Sequence, residues 1–196
     1  MKDTKIYILL TDTGTILTRM IKCYTRKPYN HASIALDKEL TEVYSFGRKT
    51  VSNPFIGGFV KEDIHSVLFS QANCAIYSLS ITNKQLQKMH HYIQEIASEK
   101  EKYRYNFLGL FGVALNMEIR RKNAYFCSQF VASVLKESKI IDMEERELSF
   151  VKPTDLIEMA NFQLVFEGSL IEYTNKEEPM SFIQCNSLFT NISYGG

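Results

Sequence analysis

At 196 residues and 45% hydrophobic content, the chain is long enough to bury the core of one globular domain and too apolar for a disordered one. A formal net charge of +1 lacks the basic signature of a nucleic-acid binder, and short basic clusters such as Arg120, Arg121 and Lys122 read as solvated surface. Cys23, Cys74, Cys127 and Cys185 stand far apart, with no C-x-x-C pair and no histidine at zinc spacing, so no metal, cofactor or disulfide framework is expected and a reducing compartment fits best.

The first apolar run, IYILL, reads as a strand. It is too short for a signal peptide core or a bilayer span, and no other run approaches twenty apolar residues, so a cytoplasmic protein without a membrane span is expected. TDTGTILTRMIKCYT follows, with Ile16, Leu17, Met20, Ile21 and Tyr24 at helical spacing behind a Thr/Asp/Gly start. KPYNHASIALD passes from a proline-marked loop into a strand, DKEL is a turn, and TEVYSFG returns as the second strand of a hairpin. The stretch from Arg48 to Ser70 is loop-like, with short strands expected around GFVKED and HSVLFS. CAIYSLSI is a strand with Ala75, Tyr77, Leu79 and Ile81 on one face.

ITNKQLQKMHHYIQEIASEK is the clearest helix, capped by Thr82 and striped by Leu86, Met89, Ile93 and Ile96. YRYNFLGLFGVALNMEI is apolar and reads as a helix broken by glycines. NAYFCSQFVASVL predicts a helix behind Asn123, a capping-type residue, with Phe130, Val131, Val134 and Leu135 at helical spacing. KPTDLIEMA is a short helix entered through Pro153. FQLVFEGSLIEY reads as a closing hairpin with Gly168 near its turn. The order predicts an α+β fold, an antiparallel sheet packed against helices. It spans residues 1–174 as one domain, and 175–196 form an irregular tail.

Cys127 is the residue with most chemistry to offer. It opens an amphipathic helix, where partial positive charge and unpaired N–H groups favour thiolate over thiol. The plainer alternative is a small core hydrophobe. A cysteine nucleophile needs a base within reach. Of the four histidines, His90 and His91 are adjacent on one helix and His65 lies in an unassigned stretch. His31 sits at the mouth of an apolar strand, beside the loops where sites are built, although a half-exposed strand-end histidine is the structural alternative.

Three segments carry a resemblance. They are TDTGTILTRMIKCYTRKPYNHASIALD, the hairpin strand EVYSFGRK, and YNFLGLFG followed by YFCSQFVASVLKESKI, with KPTDL downstream. Together they span most of residues 5–160, and the chain resembles the permuted papain-like amidases of the YaeF/YiiX type, a branch of the NlpC-like cysteine hydrolases. The resemblance implies a circularly permuted papain-like fold, with the histidine strand before the cysteine helix. It implies that Cys127 attacks an amide or ester carbonyl as thiolate, with His31 as general base and acid. It also implies a third, polar member on the strand after the histidine strand. Ser45 holds the matching position. Glu42 has the better chemistry but points to the opposite face of a regular strand.

Asp12, Tyr29 and Asn30 flank this region as candidates for the substrate cleft, with capping or loop packing as alternatives. Glu62, on an expected loop, offers a carboxylate for a substrate amine. Cys23, Cys74 and Cys185 read as structural. The implied substrate is a small peptide, an acylated amine or a cell-wall-derived amide. The alternatives are an acyltransferase, a ligand-binding module on the same scaffold, and a redox-sensing thiol. The sequence leaves the oligomeric state open.

Overall fold

The computed structural model describes residues 4–12, 28–48, 57–106 and 123–177. The expected helix after the first strand, the glycine-broken apolar block beyond Asn106, and Cys23 and Cys185 lie outside the described residues. β1 (Thr4–Asp12) extends IYILL on both sides. β2 (His31–Ala35) and β3 (Val43–Arg48) form the expected hairpin. β4 (Gly57–Glu62) and β5 (Asn73–Ile81) follow.

These strands and β8 (Gln163–Ser169) make one antiparallel sheet in the order β4-β3-β2-β1-β5-β8. The class is α+β, as expected. Side chains alternate across each strand, so every strand serves two faces. Ile6, Ile8 and Leu10 of β1 point to one core with Ala32, Ile34, Phe46 and Phe59. Tyr7 and Leu9 point to a second core with Ala35, Val43, Cys74 and Ile76.

Two helices cover the first face. α1 (Asn83–Ser98) starts at a capping box, in which Thr82 and Gln85 satisfy each other's exposed groups. Met89, Ile93 and Ile96 form its buried stripe. α2 (Cys127–Glu137) is buried along most of its circumference. Its Phe130 lies between Phe46 and Phe59, with ring centroids 5.2 and 5.8 Å away. Ahead of α2, β6 (Arg104–Tyr105) and β7 (Ala124–Tyr125) pair in parallel and pin the approach to Cys127. α3 (Glu145–Leu148) and α4 (Asp155–Glu158) are single turns.

Three expectations change. HSVLFS is not a strand: residues 63–72 fold as consecutive turns, and Ile64, Phe69 and Ala72 use their apolar character to cap the second core. FQLVFEGSLIEY is not a hairpin. β8 ends at Ser169 and α5 (Leu170–Glu177) begins at once, burying Leu170 and Tyr173 one helical turn apart. This helix also takes in residues 175–177, expected as the start of the tail. Asn123 does not cap α2. It sits at φ 54° before β7, a left-handed conformation that asparagine tolerates well, and Phe126 holds the cap position.

Candidate active site

Each part of the site lies at the end of an element. Cys127 is the first residue of α2. Phe126 at the cap has no side-chain acceptor to offer the first turn. The free N–H groups of that turn therefore remain for the thiol or a ligand. The Ser128 N–H and the Ala32 N–H, the latter from β2, both point at the Cys127 sulfur. The Ser128 hydroxyl donates to the Val151 carbonyl at 2.6 Å and fixes the helix start.

His31, the first residue of β2, hydrogen-bonds with Cys127 on one side and with Glu62 on the other. Its Nε2 is 2.7 Å from Glu62 Oε1, which leaves Nδ1 for the thiol. Glu62 closes β4 and is 6% exposed; His31 is 15% exposed. Glu62 takes two more donors. Ser45 Oγ donates to Oε1 at 2.6 Å, and Ser33 Oγ donates to Oε2 at 2.5 Å. Register explains the convergence. Ala35 lies opposite Val43, and Val43 opposite Glu62, so Ser33, Ser45 and Glu62 share one face. His31, two residues before Ser33, shares it too.

Electrostatics couples the three groups. Burial alone would lower His31, but the Glu62 charge and the bonds to Cys127 and Glu62 carry it up to about 10. Burial alone would raise Glu62; His31 and the two serines reverse that and hold it below the usual carboxylate range. Burial also raises the Cys127 thiol, and His31 with the two N–H groups brings it down on balance. These directions favour the thiolate–imidazolium form of the pair, with a carboxylate behind it. Cys74 is the contrast. Burial and the Glu167 charge push its thiol up to about 12.

Of the sequence candidates, the structure brings together Cys127, His31 and Ser45. Ser45 is fully buried and reaches His31 only through Glu62. Glu42 is not with them. It lies in the turn before β3, its backbone N–H bonded to Asp37 and its carboxylate accepting from Tyr44. Asp12 ends β1 opposite Asn73, and alternation puts it on the other face from Thr11, which lies opposite His31. Tyr29 donates to Glu167 at 2.7 Å and ties the loop before His31 to β8. Asn30 is buried, its N–H donating to the Thr11 carbonyl.

Sequence reasoning missed two residues. The sequence offers Glu62 only as a carboxylate for a substrate amine, whereas at the end of the expected short strand it turns inward onto His31. Ser33 is the other: its place two residues after His31, on an otherwise apolar strand, is its signal in the sequence. Among the described residues, no group of three His, Cys, Asp or Glu side chains could hold a metal, and no helix is long and apolar enough to cross a membrane. Scans against protein-family models, curated proteins and solved structures found no match to this chain.

Proposed function

We propose that the protein is a cysteine hydrolase of the permuted papain-like amidase type, cleaving an amide through a thioester on Cys127. The observation that carries the reading is the chain of contacts Cys127–His31–Glu62, with His31 Nε2 2.7 Å from a nearly buried carboxylate. The Cys127 thiolate attacks the carbonyl carbon and forms the C–S bond. The Cys127 backbone N–H and a further donor hold the oxyanion. The C–N bond then breaks, and His31 hands its proton to the leaving amine. Neutral His31 next takes a proton from water. The hydroxide adds to the thioester, and the thiolate leaves.

The substrate class is a small peptide, an acylated amine or a cell-wall-derived amide. A reduced thiol nucleophile suits the cytoplasm. Replacing water by an amine or alcohol acceptor turns the same intermediate toward acyl transfer.

p-Nitrophenyl acetate tests the chemistry without knowledge of the substrate. The expected result is a burst of nitrophenolate and an acetyl group mapped by mass spectrometry to Cys127, absent in Cys127→Ala and strongly slowed in His31→Ala. No acetylation of Cys127, or equal acetylation without His31, contradicts the reading.

A further inference from the structure

Ser33 and Ser45 are fully buried hydroxyls on apolar strands, and both donate to the same carboxylate. We propose that they are positioning residues that allow Glu62 to stay a carboxylate during the stage when His31 is neutral. The inference rests on the thioester reading above and concerns its second half.

The reaction needs His31 in both charge states. While it is an imidazolium, Glu62 has a counter-ion at 2.7 Å. Once the proton has left with the amine, Cys127 is an uncharged thioester. Among the described residues, the titratable groups at His31 are Glu62 from β4 and Cys127 from α2. Thr11 of β1 lies opposite it and Gly47 of β3 lies beside its ring, both uncharged. Glu62 is then a lone buried negative charge, and such a charge is costly unless hydrogen bonds hold it. Neutral His31 still donates through Nε2–H, and the two serines supply the remaining donors, one to each oxygen. A carboxylate with two or three donors remains ionised comfortably.

The direction of the effect follows. Without the hydroxyls, the Glu62–His31 pair gives up its proton less readily, because the product of that loss is a poorly solvated anion. His31 then becomes a base only at higher pH, and water attacks the thioester more slowly at neutral pH. A purely structural role for the serines predicts no such displacement.

The experiment uses acetyl-Cys127 protein made with p-nitrophenyl acetate and freed of excess reagent. Loss of the acetyl group is followed against pH by mass spectrometry, in the parent and in Ser33→Ala, Ser45→Ala and the double variant. We expect the pH midpoint to rise by about one unit in the double variant, with deacetylation about tenfold slower below the midpoint and recovered above it. A midpoint does not depend on the active fraction, so partial misfolding cannot mimic the shift. Thr82→Ala, at the distant helix cap, serves as the control with an unmoved midpoint. An unmoved or lowered midpoint in the double variant overturns the proposal while leaving the thioester intact. Failure of Cys127 to acetylate in the parent removes the reading of the site, and this inference with it.

Discussion

Glu62 and His31 depend on each other for their charge, and that dependence sets a pH window for stability. Glu62 is lowered from its ordinary value of 4.5, so its contribution is present above that value and is lost as pH falls through the folded value. His31 is raised from 6.5 to about 10, so its contribution is complete below 6.5 and lost as pH rises toward 10. Between 4.5 and 6.5 both are present. Glu62→Gln keeps the shape of the side chain but removes the larger of the two negative charges that face His31. The expected cost is on the order of 2–3 kcal/mol in that window, shrinking on either side. Urea denaturation at a series of pH values reads it; a cost constant from acid to alkali would mean that the charge of Glu62 plays no part. In the same variant, the apparent pKa of the Cys127 thiol is expected to rise.

At the scale of elements, the site is as stable as the two strands that converge on it. Gly57 begins the strand that ends in Glu62. A Cβ there would stand 2.7 Å from Tyr105 Cβ and 2.8 Å from the Gly47 carbonyl oxygen. Neither group yields easily, so Gly57→Ala is expected to cost about 1–3 kcal/mol and to loosen β4 from β3. Thr82→Ala removes the α1 cap at a cost of about 1 kcal/mol. It should leave Cys127 reactivity untouched, which thermal melts and alkylation rates together would show.

The same elements explain what the sequence discloses. The helix at Cys127 and the hairpin at His31 are legible because local apolar periodicity and tertiary packing agree. GGFVKE starts with two glycines and ends in charge, so the short strand expected there is only weakly marked in the sequence, and its pairing with β3 secures it. Glu62 was therefore legible as an acid but not as a partner of His31. Segment 63–72 misled in the opposite way: its apolar residues serve the second core through turns, and no period-two strand forms. In LIEY, Leu170 and Tyr173 are one helical turn apart, but four residues are too few to separate that period from a returning strand's.

Across the whole molecule, the sheet separates two cores, and the site lies where strand ends and the start of a helix meet. Phe130 couples packing to chemistry. It is fully buried against Phe46, which lies between Ser45 and Gly47, and against Phe59 on the Glu62 strand. Phe130→Ala is expected to cost about 3–5 kcal/mol and to raise the apparent thiol pKa as the start of α2 loses its fixed distance from β2. Unchanged thiol reactivity in a folded Phe130→Ala protein would show that the first core and the site are independent.

The central claim is that Cys127 and His31 form an ion pair in the resting protein. The most direct measurement is the pH dependence of Cys127 alkylation by iodoacetamide, in the parent and in His31→Ala. The account predicts an apparent thiol pKa well below the reference of about 8.5, rising when His31 is removed. A reference-like value that does not respond to His31→Ala would contradict it.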